Sequence, residues 1–245
     1  YTLSGADAAN YNLVQPTGLK ANITPATLTY TADVATSIYG DAITGLTGTV
    51  AGFVNGENLA NATTGTASFS TAATATSHVG QYAIAGSGLT ANNGNYVFVQ
   101  NAANTTALTI NPATLTITAN AGQHKVYGDI DPTLGYAVSG WKLSDDNSLL
   151  TGALGRASGE NAGLYAMNKG TVAAGGNYTI AYDPASPQFE ITPATLTITA
   201  NAGQNKIYGD IDPTLGYGAT GWKFSDGNSL LTGALGRASG ENAGL

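Results

Sequence analysis

Cysteine is absent from the 245 residues. That excludes disulfides, thiol nucleophiles and cysteine-based metal sites together. Charge is also scarce: 9% of residues are Asp, Glu, Lys or Arg, where an ordinary soluble domain carries about a quarter. Only 8 are Lys or Arg and the formal net charge is −7. The basic surface that phosphate binding demands is therefore missing, which excludes nucleic acid as a partner. No apolar run reaches the ~18 residues of a membrane-spanning helix. No signal peptide is recognisable, and Tyr1 reads as an internal position of a longer precursor.

Gly, Ala, Thr and Asn fill the space that charge leaves, and 13 Tyr supply most of the aromatics. A disulfide framework is common in small secreted eukaryotic domains. A cysteine-free, Thr- and Asn-rich, weakly charged chain fits a bacterial exoprotein better.

The strongest signal is a duplication. Residues 111–164 and 192–245 are related by a shift of 81, and eight of the 54 positions differ, leaving 46 identical. Three units tile the chain in register, Tyr1–Gln81, Tyr82–Leu164 and Tyr165–Leu245. Self-similarity at a fixed period marks an array, and arrays are built for length and multivalency rather than for one active site. The eight differences keep packing and let surface chemistry drift. Val126/Ile207 and Leu143/Phe224 stay apolar, while His124/Asn205, Asp146/Gly227 and Asn111/Thr192 vary freely.

Period-two alternation predicts strands. Thr114–Thr118 reads polar, apolar, polar, apolar, polar, with Leu115 and Ile117 facing inward. The pattern returns at Thr195–Thr199 and, shorter, at Thr27–Tyr30, each after a proline (Pro112, Pro193, Pro25). Further strands are expected at Lys125–Tyr127, Leu134–Ser139, Ala153–Ala157, Leu164–Asn168, Tyr178–Tyr182 and Phe189–Ile191. The one helix candidate is Ser144–Leu150, with Ser144 as its cap and Ser225–Leu231 as its counterpart. The expected core of the middle unit is Leu115, Ile117, Val126, Tyr127, Leu134, Trp141, Leu154, Tyr165 and Ile180. Fold-level units run from one Pro-Ala-Thr-Leu to the next. That makes 23–110 and 111–191 complete domains and 192–245 the N-terminal part of another. Residues 1–22 then supply the closing strands of a preceding repeat.

In order, the signatures P-A-T-L-T-I-T-A, K-[VI]-Y-G-D-I-D-P-T-L, R-A-S-G-E-N-A-G-L-Y, G-N-Y-T-I and I-T-P resemble the MBG domain of the "YGX" type. The resemblance covers 111–245 and extends more thinly over 23–110, where Ile38-Tyr39-Gly40-Asp41 survives. It implies small β-grasp-like modules in tandem, as found in very large bacterial surface and secreted proteins such as haemagglutinin-like adhesins. It implies no catalytic residues. The expected class is all-β, with β-grasp-like or Ig-like modules end to end in an elongated rod.

No catalytic constellation emerges, and no cofactor is expected. Asp129 and Asp131, with Asp210 and Asp212 in the copy, are candidate Ca²⁺ ligands, but Asp-x-Asp supplies only the start of the six to eight oxygens required. A proline-terminated turn with locally capping Asp side chains is the preferred reading. Asp145-Asp146 is weaker, because the copy reads Asp226-Gly227. His78 and His124 form no shared centre, no Ser has a partnering His repeated between units, and Glu160 and Glu241 read as turn residues. Trp141 and Trp222, with Phe53 at the matching place, read as core anchors rather than as a sugar-binding row. Asn22, Asn61, Asn104 and Asn177 open N-x-[ST] sequons and are candidate glycosylation sites.

The expected function is structural and adhesive: a fibre, stalk or filament region of a long extracellular or surface-displayed bacterial protein, active in attachment or biofilm. The runner-up is an array of carbohydrate-binding modules. Two forms of continuation are expected. The array continues covalently, or copies associate head to tail, Tyr1–Asn22 of one completing Thr192–Leu245 of the next by strand addition. Cell-surface glycans are candidate partners.

Overall fold

The computed structural model of the chain describes residues 1–244. Strand makes up 34% and helix 9%, in several small sheets with no barrel, so the class is all-β. The residues gather into two compact units. One is Tyr1–Ser37 with Asp41–Ile110, and the other is Ile38–Gly40 with the chain from Asn111 onward.

In the first unit, threonine–aliphatic alternation sets β1 (Ala26–Ala32), which buries Leu28 and Tyr30. There follow β2 (Ala35–Ile38), β3 (Gly48–Ala51), β4 (Thr63–Ser70), β5 (Gly80–Tyr82), β6 (Ala85–Ala91), β7 (Tyr96–Gln100) and β8 (Leu108–Asn111). β1 is the central strand of one sheet, antiparallel to β3 and parallel to β7. β8 is the central strand of a second, in the order β2-β8-β5, and β4 pairs with β6. A one-turn helix, α1 (Leu59–Ala62), starts at a capping box in which Asn58 and Asn61 satisfy each other's end of the turn. The core is divided between Leu28, Ala62 and Tyr96 on one side and Ile84, Ala107 and Leu108 on the other.

The second unit repeats the plan. Its strands are β9 (Ala113–Ala119), β10 (His124–Val126), β11 (Tyr136–Ser139), β12 (Gly155–Arg156), β13 (Gly163–Tyr165), β14 (Met167–Asn168), β15 (Tyr178–Tyr182) and β16 (Phe189–Thr192). β9 is central between antiparallel β11 and parallel β15, β16 is central between β10 and β13, and β12 pairs with β14. β17 (Thr197–Ala200) and β18 (Tyr217–Thr220) then repeat the β9–β11 pair. Ala113, Leu115, Ile117 and Ala119 of β9 alternate inward, and Ile117 and Ala119 join Leu134, Leu154, Met167, Val172, Phe189 and Ile191 in the core.

Several expectations change here. β10 has the opposite phase: Lys125 is buried and Val126 exposed, because the Lys125 ammonium has carboxylates to reach and its stem covers apolar surface on the way. Tyr127, Trp141, Tyr165 and Ile180 are half-buried. The expected helix is a single 3₁₀ turn, Asn147–Leu149, whose cap is Asp146 rather than Ser144. Its counterpart is Asn228–Leu230, where Gly227 offers no side-chain cap. Tyr1–Asn22 forms no strand; its one element is a 3₁₀ turn at Ala8–Asn10. An extended segment becomes a strand only on a ladder partner, and Tyr1–Asn22 has none among the described residues. Leu245, to which the expected completion of the last repeat extends, lies outside the described residues.

Leu115 is fully buried, so Leu115→Ala should lower stability by about 2–5 kcal/mol through the cavity it leaves. Urea denaturation measures this, and a loss within error of zero would mean that β9 does not bury this face.

Candidate functional site

Two constellations recur from repeat to repeat. The first uses half of the 8 cations in the chain. The Lys125 ammonium bonds Asp131 at 2.6 Å and also Glu160. Arg156 lays its guanidinium across both carboxylates, at 2.6 Å from Asp131 and 2.8 Å from Glu160. It also donates to the carbonyls of Ala157 and Gly159 and stacks against the rings of Tyr165 and Phe189. Lys206, Asp212, Arg237 and Glu241 reproduce the network. In the first network the cations are interior and the acids half-open: the Lys125 and Arg156 side chains are 4% and 6% exposed, those of Asp131 and Glu160 43% and 51%. Hydrogen bonds from Arg156 first, then from Lys125, hold the Asp131 carboxyl at about 2. Arg237 first, then Lys206, hold Asp212 at about 2 as well.

The second constellation is a carboxylate that receives tyrosine hydroxyls. After Trp141, the backbone turns through Leu143 at a φ of 56°, a left-handed conformation in which a branched side chain is strained. That turn brings Asp145 back beside Lys142. Tyr178, on β15, donates to Asp145 at 2.7 Å, and the Lys142 N–H donates to the same tyrosine oxygen at 3.1 Å. Tyr39, whose segment Ile38–Gly40 belongs to this unit, donates to Asp145 at 3.0 Å and meets Tyr178 edge-on. Burial first, and then the Asp145 carboxylate, push Tyr178 up to about 12 and raise Tyr39.

The same seat is built after Trp222. Phe224 has a φ of 51°, Tyr127 donates to Asp226 at 2.9 Å, and its ring meets that of Phe224 edge-on. Lys223 closes the contact by bonding Asp129 at 2.9 Å. The glycine after each tyrosine is required. Gly40 and Gly128 both have a φ of +87°, and a Cβ at Gly128 would stand 2.6 Å from Lys223 Cβ. So Tyr-Gly-Asp is a plug, and Trp-Lys-x-x-Asp is the seat that takes it. A cleft of about 320 Å³ beside this joint is lined by Tyr127, Pro193, Trp222, Lys223 and Asp226 among others.

The structure distributes the sequence candidates differently from a metal site. Asp131 and Asp212 face a lysine and an arginine, and Asp129 faces Lys223. Asp210 accepts from Lys206 through its backbone carbonyl. Among the described residues, no three of His, Asp and Glu gather in one place. Glu160 and Glu241, expected as turn residues, are members of the ion networks. Trp141 is no core anchor: it is half-buried, packs edge-on against Tyr178 and donates its indole N–H to Asn147. Of the sequons, Asn104 is corrected. It is 3% exposed, accepts from the Ala32 N–H, and donates to the Tyr30 carbonyl and to Gln100. A sugar cannot be attached there in the folded chain. Asn61 is part of the α1 cap, Asn22 is exposed and Asn177 half-buried.

Sequence reasoning misses both constellations, yet signals are present. Lys125, Asp131, Arg156 and Glu160 recur unchanged at the same spacing, in a chain that carries little charge elsewhere. Of Asp145-Asp146, the copy keeps the first and loses the second. The residue kept is the one that accepts tyrosine.

A family model described as MBG domain (YGX type) matches residues 28–106, 115–186 and 196–245. The chain belongs to this family. Tyr39-Gly40, Tyr127-Gly128 and Tyr208-Gly209 each fall inside one of the three matched MBG regions. Comparison with curated proteins and with solved structures gives no match. No helix among the described residues is long and apolar enough to cross a membrane.

The ion networks give the MBG repeats an acid limit. Asp131 and Asp212 titrate near 2 when folded and near 3.8 when not. Between those values the unfolded chain binds more protons, so stability rises with pH there and is lost as pH falls through the folded value. The thermal midpoint should therefore fall on acidification from about pH 5 to pH 2. Asp131→Asn should lower the midpoint at neutral pH and flatten its acid slope. An unchanged slope in Asp131→Asn would remove this carboxylate from the acid response.

Proposed function

We propose that this chain is a load-bearing, adhesive repeat region of a long bacterial extracellular protein, serving in a fibre, stalk or filament for surface attachment or biofilm. Continuation of the array, covalently or by head-to-tail association of copies, belongs to the same reading. Localisation outside the cell or on its surface follows from it.

The single observation that carries the reading is the placement of the first and last strands of each complete repeat. β1 and β8 are each the central strand of a three-stranded sheet, and so are β9 and β16. A pull on the ends of residues 111–191 enters through β9 and leaves through β16. Each is hydrogen-bonded on both sides, and one neighbour of each runs parallel to it. Force along such a strand shears its ladder bonds together instead of opening them one by one. A module meant to transmit tension is favoured by this arrangement. Tandem MBG matches along the chain support the same use.

Carbohydrate binding is the second reading. The cleft beside Trp222 favours it, while the bonded indole and edge-on packing of Trp141 weigh against an open aromatic row. Titration with glycans, followed by tryptophan fluorescence, separates the two.

Force spectroscopy on the chain held by its ends tests the load-bearing reading. The complete repeats should yield discrete unfolding events, releasing about 27–29 nm for the 81 residues of 111–191 and about 29–32 nm for the 88 of 23–110, at ~3.3–3.6 Å per residue. Smooth extension without force peaks would refute it.

A further inference from the structure

We propose that the cleft formed by Val54, Glu57 and Tyr96 is a vacant seat for the Tyr-Gly-Asp plug of another module, supplied by Tyr208–Asp210 of a second copy. This rests on the tandem-array reading and adds the residues that join one array to the next.

Residue by residue, the first unit builds the same seat. Val54 stands where Lys142 and Lys223 stand, and Asn55, at a φ of 56°, stands where Leu143 and Phe224 make the same left-handed turn. Glu57 takes the place of Asp145 and Asp226. Tyr96 takes the place of Tyr178: its hydroxyl donates to Glu57 and receives the Val54 N–H at 3.1 Å. Phe53 packs edge-on against Tyr96 as Trp141 does against Tyr178.

The difference lies in occupancy. Asp145 accepts two tyrosines, one from its own repeat and one from a Tyr-Gly-Asp plug. Glu57 accepts Tyr96, and no plug tyrosine among the described residues reaches it. In the plug's place is a cleft of about 290 Å³, lined by Ile23, Pro25, Val54, Glu57, Asn95 and Tyr96 among others.

The matching plug is equally open. Tyr39 is 5% exposed and Tyr127 half-buried, but Tyr208 is 72% exposed beside Ile207 at 75%. A Cβ at Gly209, whose φ of +88° matches those of Gly40 and Gly128, would meet nothing within 4 Å. Seated in the cleft, Tyr208 donates to the Glu57 carboxylate beside Tyr96, as Tyr39 does to Asp145 beside Tyr178, and Gly209 lets Val54 lie against the backbone. With valine in place of lysine, Asp210 gains no ion pair, so this joint is weaker than those already filled. Plug and seat are different surfaces of one chain, so the contact is heterologous and joins copies head to tail.

The chain has no cysteine, so Val54→Cys with Asp210→Cys places two unique thiols, one in the seat and one on the plug. A short bis-maleimide should convert this variant into a ladder of oligomers. Adding Tyr208→Ala should cut the ladder yield about tenfold, the loss expected for a hydrogen bond to a charged group. A ladder unchanged by Tyr208→Ala or by Glu57→Gln would mean random collision or strand exchange and would overturn the proposal. A cross-linked monomer would mean that the plug folds back on its own chain, and would overturn it too. Sedimentation equilibrium of the parent against Tyr208→Ala, an exposed position, keeps the test valid if the cysteine pair misfolds. Equal association of the two would likewise overturn it. Force peaks from intact repeats do not depend on this contact, so failure here leaves the load-bearing reading separately decided.

Discussion

Each of the two complete repeats is organised around a sheet whose first strand is flanked on both sides. β9 takes β11 antiparallel and β15 parallel, with 113 opposite 178 and 117 opposite 182. A parallel neighbour demands a long crossover, because no tight turn can bring the chain back in the same direction. The segment between β9 and β15 is that crossover, and it contains most of what distinguishes the fold. It holds the plug, the seat, the ion network and the 3₁₀ turn. The last strand, β16, then enters a second sheet beside β10, with Phe189 and Ile191 closing the core.

The crossover contributes Leu134, Leu154, Met167 and Val172, half of the eight buried members of the core cluster of the second unit. The ion network ties its turns together beside that core. Lys125 comes from β10, Asp131 from the turn after it, Arg156 from β12 and Glu160 from the loop beyond. Four separate chain segments meet at one guanidinium and one ammonium. The half-open acids keep water on one side, which limits the desolvation cost that can make a fully buried pair net unfavourable.

Strand existence is legible from alternation, and Tyr178–Tyr182 agrees to the residue. The phase of β10 is not, because a lysine between His124 and Val126 looks like the solvent-facing member of the alternation, and the pattern contains no hint of carboxylates waiting inside. The seat is illegible for a different reason. Lys142 and Asp145 sit three residues apart, but Tyr178 lies 33 residues beyond Asp145, and the occupant comes from another repeat. Local periodicity reports which face of a strand is apolar, and says nothing about contacts whose geometry is set by a left-handed turn at Leu143. The repeat comparison comes nearest, since it singles out which polar residues survived duplication.

The three seats are not copies of one another. Two carry lysine and aspartate around Leu143 or Phe224, and the third carries valine and glutamate around Asn55. The plugs vary less: Ile38-Tyr39-Gly40-Asp41, Val126-Tyr127-Gly128-Asp129 and Ile207-Tyr208-Gly209-Asp210 differ at one aliphatic position. A nearly constant key facing variable locks grades the joints of a chain by strength, since specificity is a difference between affinities. Under tension, a series of unequal links yields first at its weakest member. In the load-bearing reading proposed above, that member is set by two side chains, Val54 and Glu57, so the site of first failure would itself be a heritable property of the sequence.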